Sequence, residues 1–200
     1  MVDPDDPALD DPDAQGAGPV GDPEDVEVRL VPLRRRHLRS VMRIEAQVYP
    51  HPWTLPLFMS ELALRSTRTY VGARVEGAVV GYAGLMYTGD ESHVTTIAVD
   101  PRWHRHKIGS RMLAHLVRVS RERDVKHMTL EVRVANTGAQ AMYRKFGFEP
   151  AGIRKNYYAE TKEDALIMWV HDIDTDEYLA RLVRIEAGFP GTTIVEDGRQ

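Results

Sequence analysis

Hydrophobic and polar positions along this chain repeat with two different periods, and the switches between them mark its elements. VEVRLVPL (26–33) alternates as a strand does, and RRRHLRSVMRIEAQVY (34–49) places Leu38, Met42, Ile44 and Val48 near helical spacing. PHPW (50–53) interrupts that helix, because a residue before proline is pushed toward extended backbone. Thr54 then stands where it would cap a second helix, LPLFMSELALRS (55–66). TYVGARVEGAVVGYAGLMYTG (69–89) predicts two strands about a Glu-Gly turn, and SHVTTIAVDP (92–101) a further strand stopped by Asp-Pro. Ile108, Met112, Leu113, Leu116 and Val117 form the apolar stripe of a third helix. KHMTLEVRV (126–134) is the most regular strand, with Met128, Leu130, Val132 and Val134 on one side and Thr129, Glu131 and Arg133 on the other. Asn136 opens a helix whose Ala139, Met142, Tyr143 and Phe146 share a face. GFEPAGIRKNYY (147–158) and EDALIMWVHDI (163–173) predict a last pair of strands; Asp174 or Thr175 starts a short helix, and the polar end after Gly188 reads as loose.

Strands and helices are therefore mixed, with a strand-loop-helix unit feeding a parallel crossover: an α/β (α+β) sandwich. The 200 residues suffice for one domain with a full core and are too few for two large ones. No run approaches the roughly 18 apolar residues of a membrane span. The start of the chain lacks the basic and apolar regions of a signal peptide, so a cytoplasmic setting is expected. There is no cysteine, which removes disulfides, thiolate catalysis and cysteine-ligated zinc together.

Charge changes the picture at one end. Residues 1–25 hold eight Asp and one Glu with no Lys or Arg, among Pro, Gly and Ala, and so read as a disordered acidic tail. Setting that −9 apart from the overall −4 leaves the remainder at about +5, which suits an anionic ligand or a ribonucleoprotein neighbour.

The candidate chemistry begins at RWHRHKIGSRM (102–112), a basic turn between strand and helix. A helix that starts directly after a strand points free N–H groups and the positive end of its dipole at whatever lies in front. Arg105, His106 and Lys107 add positive side chains, and Gly109 permits close backbone approach. The plain alternative is a solvated basic helix start. A metal site on His104 and His106 lacks a third histidine or a carboxylate nearby. A Walker loop fails on spacing, and a dinucleotide fingerprint fails for want of its glycines. What remains as a ligand site is a diphosphate cradle of another kind.

IAVDPRWHRHKIGSRML (97–113) resembles the acetyl-CoA loop of the GCN5-related N-acetyltransferases, with His104 at a position usually Gln or Arg and Lys107 at one usually Gly. LEVRVANTGAQAMYRKFGFEPAGIRKNYY (130–158), EDALIMWV (163–170) and the early PHPWT are similar to the bacterial ribosomal-protein alanine N-acetyltransferases of that superfamily, the RimI type. The resemblance covers roughly 26–173, leaving 1–25 and a C-terminal extension, 174–200, outside it. It implies a mixed sheet of about seven strands with a splayed parallel pair, flanked by about four helices.

It implies acetyl-CoA as cosubstrate and no metal. Backbone groups of Ile97, Ala98 and Val99 would pair with the pantetheine arm, and Arg105, His106, Lys107, Ile108, Gly109 and Ser110 would hold the diphosphate. Asn136 would contact CoA, although its local chemistry equally makes it a helix cap. Glu131 would be the general base and Tyr143 the general acid, against the plainer readings of a surface carboxylate beside Arg133 and a core tyrosine. Trp53, Tyr157 and Tyr158 would flank the acceptor, the N-terminal α-amine of a protein and in the RimI type the N-terminal alanine of a small-subunit ribosomal protein. No direct nucleic-acid or membrane contact is implied. Two rivals stay open: an acetyltransferase for a small amine or lysine side chain, and an acyl-CoA-binding module without chemistry. A small cationic acceptor needs a carboxylate-lined pocket, whereas the acceptor-side segments carry aromatic and basic residues.

Overall fold

The computed structural model of the chain describes residues 26–196, so the acidic segment 1–25 lies outside the described residues. Its elements are β1 (Glu27–Pro32), α1 (Leu38–Val48), α2 (Leu55–Ala63), β2 (Arg68–Val75), β3 (Ala78–Thr88), β4 (Glu91–Val99), α3 (Ile108–Arg121), β5 (His127–Arg133), α4 (Thr137–Lys145), β6 (Glu149–Tyr158), β7 (Glu163–Val170), α5 (Asp176–Ala187) and β8 (Thr192–Val195). One mixed sheet runs in the order β6-β7-β5-β4-β3-β2-β1-β8. Pairing is parallel at β4/β5 and β1/β8 and antiparallel elsewhere.

The architecture is the expected α/β one with additions. Eight strands replace the expected seven, and the fifth helix, α5, is the short helix expected in the C-terminal extension. Thr175 caps α5 by accepting from the Tyr178 amide, and the end expected to be loose after Gly188 contains β8, which lies along the edge of β1. The first helix starts later than its sequence pattern: Arg35–His37 form a single 3-10 turn and α1 begins at Leu38.

Side chains alternate into two cores on the sheet. Val71 and Ala73 join Ile108, Met112, Leu113 and Leu116 of α3, with Tyr143 and Phe146 from α4 and its C-terminus, in the larger one. Tyr70, Val79 and Tyr82 meet Val41 and Ile44 of α1 and Phe58 of α2 in the other. Replacing any of these fully buried leucines by alanine costs on the order of 2–5 kcal/mol.

One irregularity positions the site. Opposite β3, the register of β4 steps from Leu85↔Val94 to Gly84↔Thr96, so Thr95 is an extra residue. Such a bulge bends the strand that carries it. The parallel pairing of β4 with β5 ends at Val94↔Leu130, immediately before that bulge, and the two strands then part. Gly84, on β3 at that step, leaves room for the Tyr70 ring of β2, which a Cβ there would strike.

Candidate functional site

Past the bulge, β4 keeps β3 on one side, with Ile97↔Ala83, Ala98↔Tyr82 and Val99↔Gly81 in register, and among the described residues has no strand partner on the other. The three residues expected to pair with pantetheine therefore line an open wedge between strands. Side chains already reach two of their carbonyls. The Tyr49 hydroxyl donates to the Ile97 carbonyl at 3.2 Å, and His104 Nε2 lies 3.2 Å from that of Val99. A carbonyl has a second lone pair, so each retains capacity to accept.

The turn after β4 is fixed by Asp100. This wholly buried carboxylate accepts from the Arg102 amide at 3.0 Å and from its guanidinium at 2.7 Å, with Arg43 at 3.8 Å. Burial alone would raise its pKa, but the hydrogen bonds and charge of Arg102, with Arg43 behind, hold it below the ordinary carboxylate range. Arg105 and Lys107 then take positive φ, 72° and 59°. Lys107 stands where the resembling family uses glycine, and at a cost of roughly 1–2 kcal/mol it adopts the left-handed backbone that a glycine there would take freely. Among the described residues no side chain caps α3 and no acid lies in its first turn, so the amides of Ile108, Gly109 and Ser110 are left without a side-chain cap. A Cβ on Gly109 would sit 3.5 Å from Met142 Sδ and 3.8–3.9 Å from the Val99 and Ile97 side chains. These features fit a diphosphate followed by a narrow linear arm.

His104 and His106 do not converge. His106 Nδ1 is 2.9 Å from the His104 carbonyl while His104 faces Val99, and among the described residues no group of three or more histidines and carboxylates is placed to hold a metal.

Glu131 follows Leu130, the last residue of β5 paired with β4, and its side chain is only 7% exposed. His93 Nε2 is 3.0 Å from Oε2 and the Arg154 guanidinium 3.1 Å from Oε1. The hydrogen bond from His93, against a smaller opposing effect of burial, holds its pKa below the ordinary value, so it is ionised at neutral pH. The expected neighbour Arg133 instead pairs with Glu163 and lies over the Tyr158 ring at 3.9 Å.

Tyr143 lies in the core as the plainer reading had it, tilted on Phe148. Burial, with the Tyr49 and Tyr158 phenols nearby, pushes its pKa well above a phenol's ordinary value. Tyr158 is itself pushed up to about 12, mainly by burial. The structure thus brings Glu131, Tyr143, Tyr158 and the Ile97 segment into one neighbourhood, around a Tyr49 that the sequence reading did not single out.

On the acceptor side, Trp53 packs on Phe58 and its amide donates to Glu45 Oε2 at 2.6 Å. Burial raises that hidden carboxyl to about 7, the Trp53 hydrogen bond offsetting only part of the effect. Tyr157 is exposed, edge-on to Tyr158 and beneath Arg154. Asn136 caps α4 through the Ala139 amide at 3.0 Å, which is its local reading.

Tyr49, His93, Arg154 and Glu45 were missed by sequence reasoning. His93 and Arg154 meet Glu131 through strand register, which no local pattern reveals. Tyr49 carried one weak signal, a tyrosine at the break between two helices.

The model of the acetyltransferase (GNAT) family matches residues 38–148. The chain is 38% identical over 147 residues to a Mycobacterium tuberculosis N-alpha-acetyltransferase RimI, covering 70% of this chain and 90% of that protein. It is 34% identical over 140 residues to the Escherichia coli [ribosomal protein bS18]-alanine N-acetyltransferase, covering 68% and 92%. The crystal structure of the ribosomal-protein-S18-alanine N-acetyltransferase from Escherichia coli superposes with a TM-score of 0.67 at 31% identity, over 72% of this chain and 94% of that one.

Proposed function

The chain belongs to the GNAT family of acetyltransferases, and on that premise we propose that it transfers an acetyl group from acetyl-CoA to the N-terminal α-amine of a protein, with the N-terminal alanine of a small-subunit ribosomal protein as acceptor. The observation that carries the reading is the wedge left where β4 and β5 part; the ionised carboxylate of Glu131 on β5 and the protonated phenol of Tyr143 support it. The relatives' acceptors support the choice of substrate, and residues 26–173 form the catalytic unit.

Acetyl-CoA, when bound, supplies the acetyl group as a thioester. The amides of Ile108, Gly109 and Ser110, with Arg105, His106 and Lys107, bind the diphosphate, and the free edge at Ile97, Ala98 and Val99 aligns the arm. Asn136 flanks the arm while capping α4. Trp53, Tyr157 and Tyr158 border the acceptor. Glu131 takes the proton the amine gives up, and Tyr143 gives one to the departing sulfur. A carboxylate held below its usual pKa is a weak base, but the task is small: an α-amine has a pKa of about 7.7–8.0, so a sizeable fraction is neutral near pH 7.5. The alkaline rise in kcat/KM accordingly follows the amine and not Glu131. The chemistry suits a cytoplasmic protein; among the described residues no helix is long and apolar enough to cross a membrane.

A thiol-release assay with acetyl-CoA tests the reading. Peptides beginning with Ala, Ser, Met and Gly are compared with one offering only an internal lysine and with a polyamine. Fastest release with the Ala peptide is expected. Release with lysine or polyamine alone would transfer the activity to a small-amine or side-chain enzyme, and CoA binding without release for any acceptor would leave a binding module. Glu131→Gln is expected to lower kcat by about 10²- to 10⁴-fold while CoA affinity stays within about threefold.

A further inference from the structure

α3 carries a second basic face, turned away from the wedge. Arg111, Arg118 and Arg121 lie within roughly 80° of one another around the helix, given 3.6 residues per turn. All three reach the C-terminal extension, which lies beyond the family match. Arg121 donates to the Ile173 carbonyl and, at 2.8 Å, to that of Thr175. Arg118 Nε donates to Glu186 at 2.8 Å. Arg111 donates through Nη1 to the Thr193 hydroxyl and through Nη2 to the Pro190 carbonyl, with the Phe189 ring 5.2 Å away. Its backbone amide meanwhile closes the first turn of α3 on the Lys107 carbonyl at 2.9 Å. One residue thus bonds to the diphosphate turn through its main chain and to the extension through its side chain.

Arg111 is an unusual choice for such a tie. It is 2% exposed, and among the described residues both of its guanidinium partners are neutral. A buried cation without a carboxylate is costly, and a cation in the first turn of a helix opposes the dipole. Both penalties are offset when a polyanion sits in front of that same turn. Arg118, a full two turns on, has the ordinary solution of a carboxylate partner.

We infer that the C-terminal extension is a brace for the cofactor-binding turn, and that Arg111 is the positioning residue through which it acts: Pro190 and Thr193 hold the guanidinium, which fixes the first turn of α3 and keeps a positive charge behind it. The inference rests on the proposed acetyl-CoA site and adds to it a determinant supplied by 174–196. Arg111 acts through the turn and touches neither the acetyl group nor the acceptor.

The test uses the full chain and CoA itself as probe. Arg111→Gln is expected to weaken CoA binding about tenfold, roughly 1.4 kcal/mol. Thr193→Val, which removes one acceptor at nearly constant volume, should weaken it about threefold. Glu186→Gln, which loosens the extension far from the turn, should leave CoA affinity and basal activity unchanged. For all three, kcat at saturating acetyl-CoA stays within about twofold while KM for acetyl-CoA follows the binding. A merely structural Arg111 would lower the melting temperature and leave the affinity unmoved, and that result overturns the inference. Should Arg111→Gln not fold, Thr193→Val decides alone, with equal affinity counting against the brace. A wild-type chain that fails to bind CoA removes the proposed function as well; a wild type that binds beside indifferent variants removes only the brace.

Discussion

Glu131 accepts from His93 and faces Arg154, and these partners hold it below its ordinary pKa. Glu45 has a single backbone amide, that of Trp53, in a buried setting that raises it to about 7. The raised group contributes most to stability while it is protonated in both folded and unfolded chains, below about pH 4.5. That contribution falls as pH rises and is lost once pH passes about 7, where the folded carboxyl ionises as well. Allowing for partial solvent screening, the loss is on the order of 2 kcal/mol. Glu45→Gln keeps an acceptor for the Trp53 amide and cannot ionise. Urea unfolding should find it more stable than wild type at pH 8 by about that amount and indistinguishable at pH 4; equal stability at both would show that Glu45 is not the titrating group. At this scale the sequence exposed Glu131, because strand alternation puts it opposite Met128 and Leu130. It hid His93, Arg154 and Tyr49, whose partners are chosen by register and by the packing of α1 over β4.

The start of α3 shows why an element can be legible when its motif is not. Its apolar stripe is periodic, so Ile108, Met112, Leu113 and Leu116 declare the helix, and the structure buries all four. The turn before it departs from the family pattern at His104 and Lys107, yet Lys107 adopts the positive φ that the pattern needs. β8 was illegible for the opposite reason: four residues, TTIV, pair in parallel with a strand more than 160 positions earlier. Gly109 separates fold from function within α3. A methyl group there makes only ordinary contacts with the Met142, Val99 and Ile97 side chains, so the protein itself accommodates it, but it stands beside the strand segment proposed to hold the arm. Gly109→Ala should therefore raise stability by a few tenths to about 1 kcal/mol, the usual gain in a helix, while raising KM for acetyl-CoA at least threefold on the order expected for a crowded site. Thermal melts and initial rates on the same preparation check both halves, and an unchanged KM would place the arm elsewhere.

Across the whole molecule, one sheet separates two cores, and β2 and β3 send alternate side chains into each. Neither core is complete without those strands, so unfolding one exposes the other, and a single cooperative transition is expected. The alternation and the helical stripes made this layering legible, whereas the bulge at Thr95 that opens the sheet was not, since SHVTTIAV reads as an uninterrupted strand. The proposed ligand site spans the seam: Ile97 to Val99 belong to the strand between the cores, α3 to one core, and Tyr49 follows α1 in the other. A ligand in the wedge is thus available only to the fully folded chain, and its binding energy adds directly to the folding free energy. At a hundredfold excess over its dissociation constant, CoA should contribute about 2.7 kcal/mol, which for a chain of this size moves the melting temperature by roughly 5–10 °C. Because cationic groups line the proposed diphosphate site, raising the salt from low to high should shrink that shift at constant CoA. A shift that ignores salt would mean that the pantetheine wedge, and not the basic turn, supplies most of the binding.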